Sequence, residues 1–393
     1  MNSKKIRRNE KIKLNGSSKK SGFDRWRLVT NGVNFVTGEE KTFFIEFYVV
    51  NPSRSPDEPV LGFKNRYNKT VSDLQYVLAN SEAAKSLTSQ VFVSPSFFMV
   101  RAGVLSSGAR HMNSYYPCSA VDFESKEYIL SLDEKKYTNI VLSDSYTAGS
   151  IEVTEKDLID NPEFMCNSGK ISWNLQFEKS ISFSSDCICK NVNWAVLGGH
   201  TDFSGTIIYN GEEFSVIPKK SFGYYDKNWG KDFISPFFHI SSSSITSVIS
   251  GKLMEKSAVI AQGEYNGKLC ILIDLDGEIV EFNAARKKNY KVSFDFLEVP
   301  VDEGADQKVH WTVSVQNKKY VADIDIYCNA KDMFLRDYES PEGGRKILKV
   351  LGSGSGNGTL KLYKMHKKAL ELIEQAKITK CVCEYGNLEY PEQ

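Results

Sequence analysis

Apolar and polar residues alternate along most of this chain with a period of two, the period of a strand and not of a helix. The strongest run is "TFFIEFYVV", Thr42 to Val50, almost wholly apolar with Glu46 as a lone acid inside it. Shorter runs follow in "VFVSPSFFMV", "YILSL", "NIVLS" and "SIEVT". Asn210-Gly211, Asn266-Gly267 and Asp276-Gly277 each stand between two such runs, and these dipeptides favour the type I′ hairpin turn. Many short strands with little helix between them predict sandwiches or barrels, not βαβ units. Two segments read as helix. Residues 73–85, "DLQYVLANSEAAK", follow a capping Ser72 and place Leu74, Val77 and Leu78 on one face. Residues 364–377, "KMHKKALELIEQAK", have a helical composition with Leu370, Leu372 and Ile373.

At 393 residues the chain fits two β-rich lobes. The reading is a disordered basic tail over 1–22, a β lobe over 23–185, and a second β lobe over 186–393 that ends in the helix, with the break inside 165–192. The tail holds eight Lys or Arg between Lys4 and Lys20 against one acid, Glu10. That leaves open a peripheral contact with an anionic membrane. The whole chain carries a net charge of only +1, so no nucleic-acid partner is implied. Without a secretory apolar core or a long uncharged apolar stretch, the expectation is a cytoplasmic protein. An aromatic content of 12% suits pleated surfaces and the walls of an apolar pocket.

Eight cysteines in a chain this long do not read as a disulfide framework. Cys187 with Cys189, and Cys381 with Cys383, are C-x-C pairs whose thiols would share a strand face. Small apolar residues in a sheet account for them better than a metal does. No phosphate-binding loop, nucleophile elbow or H-E-x-x-H string occurs, so neither a cofactor nor a metal is implied.

The string "SFGYYDKNWG", Ser221 to Gly230, concentrates the candidate chemistry. A carboxylic acid kept neutral by apolar surroundings can protonate an alkene, and aromatic faces can stabilise the resulting cation. Asp226 is the candidate acid, with Tyr224 beside it and Tyr225, Asn228 and Trp229 around it. The plainer reading is a β-bulge or turn in which Asp226 accepts backbone amides and Trp229 fills a core. Glu46 is a second candidate acid, and a shift of one residue in register decides whether it faces inward. His200 and Asp202 share one strand face and form a candidate proton relay, or else a solvated polar face. His239, in "SPFFHISSS", follows the string closely and could approach it across a hairpin.

"GYYDKNWG" resembles the signature of the tocopherol cyclase family and its carotenoid hydratase relatives. "GFDRWRLV" resembles that family's opening element, with Trp26 in the Trp place and Arg25 where a Gly is usual. "FFMVRAGVLSSGARHMNSYYP", "NWAVLGGHTDFSGTIIYNGEEF", "EFNAARKKNYKV" and "ILKVLGSGSGNGTLKLY" resemble further family segments in the same order, so the likeness spans roughly residues 23–363. It implies an all-β, two-lobed, lipocalin-like fold around an apolar cavity. The activity it implies is protonation of an isoprenoid or polyene double bond, followed by cyclisation or hydration. Carried onto this sequence, Asp226 is the acid with Tyr224, while Trp194 and Trp229 stand beside the cation. Trp194 occupies a place where relatives often have His. The alternative is a non-catalytic binder of an apolar ligand.

Overall fold

The computed structural model describes residues 8–62, 94–133, 136–181, 183, 187–188, 191–264, 268–283, 290–299, 307–343, 346–367 and 369–389. The helix read over 73–85, the turn at Asn266-Gly267 and Cys189 lie outside them. The described fold is all-β, in two large antiparallel sheets. Period-two patterning and turn chemistry account for it. Asn210 and Gly211 both have positive φ, 50° and 87°, as do Asp276 and Gly277, 49° and 102°. Those are the left-handed pairs that a type I′ turn requires.

In the first sheet, strand Phe23–Val33 lies between Glu40–Val50 on one side and Gly223–Gly230 on the other. Glu40–Val50 continues to Phe97–Val104 and Arg110–Tyr116, and Gly223–Gly230 pairs onward with Val192–Tyr209. The second sheet centres on Ala369–Glu389, flanked by Phe237–Ser242 and Ile347–His366. The change of sheet falls between Gly230 and Phe237, later in the chain than the break read at 165–192.

The structure departs from the sequence expectation in two places. Residues 364–366 and 369–377 are strand, forming the end of a long hairpin that pairs His366 with Ala369 and turns at Lys367, whose φ is 56°. Cross-strand pairing and burial of Leu360, Leu362 and Ala376 outweigh the helical propensity of the Lys, Leu, Glu and Ala in that segment. Residues 8–22 are not a loose tail. Leu14 is buried, and the Glu10 carbonyl accepts a hydrogen bond from Trp26 Nε1 at 2.6 Å.

Three apolar layers follow from strand periodicity. Phe43, Ile45, Phe47 and Val49 point into the core of the first sheet, together with Trp26 and Leu28. The alternate residues Phe44, Tyr48 and Val50 point the other way, into a layer shared with Phe237, Leu348 and Val382 of the second sheet. A third core, around Trp311, Ile324 and Cys383, lies within the second sheet. The middle layer is also bridged covalently: Cys187, paired in register with Trp194, forms a disulfide with Cys270 of the second sheet. No helix among the described residues is long and apolar enough to cross a membrane.

Candidate functional site

The layer between the sheets holds a row of buried charges, placed there by strand register. Arg27 stands directly opposite Asp226 on one neighbour and opposite Glu46 on the other. Glu46 in turn stands opposite Arg101, and Arg101 opposite Asn113. The result is an alternating row of signs across adjacent strands, an arrangement that favours pairing. Odd-numbered Arg25 and Arg27 share the face of Phe23 and Val29; even-numbered Glu46 shares that of Phe44 and Tyr48. Facing this row, the second sheet contributes His239 and Glu384, which are also register partners, together with Arg336 and Tyr338.

Every member of this group is buried. Arg27 joins the two rows: its Nη2 lies 3.3 Å from Asp226 Oδ2 and its Nη1 lies 2.7 Å from Glu384 Oε2. Glu384 is bound by Arg336 as well. Glu46 accepts from the Tyr338 hydroxyl at 2.8 and 3.0 Å. Arg25, Arg101 and Arg336 each approach Glu46 at 3.8 Å.

Asp226 receives three donors on one oxygen. Trp194 Nε1 donates to Oδ2 at 2.9 Å and the Tyr224 hydroxyl at 2.8 Å, beside the Arg27 contact. Oδ1 has no hydrogen-bond partner. Burial pushes the Asp226 carboxyl up, but Arg27 and its neighbours outweigh this and hold it below the ordinary aspartate value. Burial likewise pushes Glu384 up, and Arg27 and Arg336 bring it far below the usual carboxylate range. Burial, reinforced by the negative charge of Asp226, drives the Tyr224 hydroxyl well above its ordinary value. The expected neutral acid is therefore replaced by an ionised carboxylate tied to a guanidinium, because Arg27 falls opposite Asp226 on the next strand.

His239 does reach this group. Its Nε2 lies 2.9 Å from Arg27 Nη2, and burial together with the Arg27 charge lowers its pKa to about 3. Its Nδ1 lies 2.9 Å from Gln262 Oε1, and Gln262 Nε2 donates to Asn228 Oδ1 at 2.6 Å. Of the sequence candidates, Asp226, Tyr224, Trp194, Asn228, Glu46 and His239 thus meet in one layer. Trp26, Tyr225 and Trp229 do not. Trp26 and Tyr225 belong to the core of the first sheet, and Trp229 packs against that core. Lys227, also on that face, lies over the rings of Trp26 and Trp229 and pairs with Asp24 at 3.0 Å. Arg27, Arg101, Arg336, Gln262 and Glu384 were missed. The available signal was the one that singled out Glu46, a charge set inside an otherwise apolar strand.

His200 and Asp202 lie elsewhere, in a half-open cleft of about 890 Å³ formed by both sheets. His200 Nε2 is 3.3 Å from Asp202 Oδ1, and its Nδ1 is 3.3 Å from the Ser257 carbonyl. Tyr146, Phe177, Phe222 and Met254 supply apolar wall. Asp226 does not line this cleft. Among the described residues no group of three or more His, Cys, Asp or Glu is placed to hold a metal ion.

No family model matches the chain, and no curated protein matches it. Solved structures are similar to it, two of them as follows. One is a candidate AttH protein from Nitrosomonas europaea, 12% identical, with 91% of this chain and 92% of that chain covered at a TM-score of 0.43. The other is kievitone hydratase from Nectria haematococca, 10% identical, with 94% and 93% covered at a TM-score of 0.38. Neither likeness says what this chain does.

Proposed function

We propose that this protein binds an apolar or amphipathic small molecule in the cleft beside His200 and Asp202. In this reading the Asp226 layer fastens the two sheets together. The observation that carries it is the cleft itself. Its volume of about 890 Å³ lies within the few hundred to about 1,000 Å³ usual for small-molecule sites. Its wall sets the apolar side chains of Tyr146, Phe177, Phe222, Leu253 and Met254 among more numerous polar and charged ones, including Gln176, Glu178, Lys219 and Lys256, a lining that suits an amphipathic ligand with a polar end. The cyclase or hydratase reading asks Asp226 to give up a proton to an alkene. A carboxylate held ionised by Arg27 has no proton to give, and this favours the binder over the enzyme.

The test is a fluorescence titration of the purified protein with a polyene fatty acid and a prenylated quinol, with product analysis on the same samples. Wild type should bind at least one of them without converting it. Ser204→Trp, which fills the cleft from its wall, should weaken binding about tenfold or more, and folded Asp226→Asn should bind like wild type. No binding by wild type, or full binding by Ser204→Trp, would sink the reading. Conversion of the quinol that disappears in Asp226→Asn would restore the enzyme.

A further inference from the structure

A second, much smaller cavity opens at the edge of the charged layer. Its volume is about 20 Å³, room for one small ion or one water. Phe23, Val192, Phe233 and Phe237 are among its walls, and among the described residues two of its lining side chains are polar, Arg25 and Asn228. Both are buried, and both hold a nitrogen with no hydrogen-bond partner: Arg25 Nε and Asn228 Nδ2.

The direction of the Asn228 amide follows from a chain of hydrogen bonds that begins at a group able only to donate. Arg27 Nη2 cannot accept, so His239 Nε2 is the acceptor at 2.9 Å. The single proton of a neutral imidazole then sits on Nδ1, consistent with the low pKa of His239, and is donated to Gln262 Oε1. That leaves the Gln262 amide nitrogen to donate to Asn228 Oδ1, as observed, and Asn228 Nδ2 as the unused donor. The unpartnered nitrogens of the two polar side chains, Arg25 Nε and Asn228 Nδ2, therefore both offer hydrogens.

The charge beside the cavity is incompletely balanced. Among the described residues, continuous ion pairing joins four guanidiniums, those of Arg25, Arg27, Arg101 and Arg336, to three carboxylates, those of Glu46, Asp226 and Glu384. Arg25 fares worst. Its one ion-pair contact is with Glu46 at 3.8 Å, a carboxylate shared with two other guanidiniums, and its other charge contact is the Tyr338 ring, 5.3 Å away. Leaving the buried Nε of a guanidinium without an acceptor is costly, and a small anion is the species that answers both the charge and that donor.

The geometry points to a buried binding site for one small monovalent anion, chloride in size, held by Arg25 and Asn228 between the two sheets. Water would supply acceptors without the charge. A carboxylate attached to an organic tail exceeds the volume. The anion completes the ion-pair layer and so contributes to the union of the two sheets, independently of what the large cleft binds.

Bromide serves as the probe because its anomalous scattering distinguishes it from water. Wild-type crystals soaked in sodium bromide should show an anomalous peak between Arg25 and Asn228. In solution, at equal ionic strength, the midpoint of thermal unfolding should be on the order of 2 °C higher in chloride than in gluconate. Asn228→Leu and Arg25→Met should lose that difference. Density that refines as water, a wild-type midpoint indifferent to the anion, or a chloride effect that survives in Asn228→Leu would each overturn the site. If Arg25→Met does not fold, the bromide experiment and Asn228→Leu still decide the matter.

Discussion

Asp226 and Asp202 are both aspartates on strands of the first sheet, yet they do opposite things. The side chain of Asp226 is fully buried and touches Arg27, while that of Asp202 is 37% exposed at a cleft and touches His200. The difference comes from what stands across the strand. Arg27 is the register partner of Asp226, so the charge is met inside the protein and held there. Asp202 pairs with Glu178, whose like charge cannot retain it, and its neighbour His200 sits beside open space. A carboxylate locked by arginines organises a fold, whereas one at the lip of a cleft is free to meet a ligand.

Breaking the lock should give the largest effect. Arg27→Met leaves Asp226 and Glu384 buried without their shared partner and should cost about 3–5 kcal/mol of stability in denaturant unfolding. A loss below about 1 kcal/mol would mean that the layer does not fasten the sheets. Acid should act next, through His239. Above pH 6.5 its imidazole is neutral in both states. Between 6.5 and about 3 the unfolded chain takes up a proton that the folded chain refuses, so stability falls as pH falls. The slope approaches about 1.4 kcal/mol per pH unit for this group. His111, also lowered by burial and by Arg101, adds in the same direction. His239→Gln should flatten the urea midpoint between pH 6 and 5 by the His239 share, with an unchanged slope counting against a neutral buried imidazole. Asp226 and Glu384, both held low, contribute stability that is lost only below the ordinary carboxylate range, about pH 4. The smallest effect belongs to the cleft. Asp202→Asn should move stability by no more than about 0.5 kcal/mol, since its pair with His200 is partly solvated. A large loss there would erase the contrast between the two aspartates.

How far the site was legible depended on which property each residue required. "GYYDKNWG" stood out by composition, and Asp226, Tyr224 and Trp194 do meet. The ionised state of Asp226 was not legible, because its cause is Arg27, 199 positions away in sequence. Tyr225 and Trp229 were grouped with Asp226 by proximity in sequence, although alternation along the strand Gly223–Gly230 sends them to the opposite face. Glu384 sits in "CVCEYG", where the paired cysteines drew attention and the acid did not.

The sequence by itself determined that this protein is built of antiparallel strands. Residue alternation and Asn-Gly or Asp-Gly turns are local signals, read within a few neighbouring positions. It also determined which residues share a face, since that needs only their parity. What only the tertiary structure decided is which face meets the other sheet and which strands lie side by side. Those choices bring Arg27 between Asp226 and Glu384, make strand of most of the helix-favouring 364–377 segment, and leave Arg25 facing a cavity with its Nε unspent. The physical reason is that charge balance and burial are sums over neighbours from distant parts of the chain, and only the register of the folded sheets supplies those neighbours.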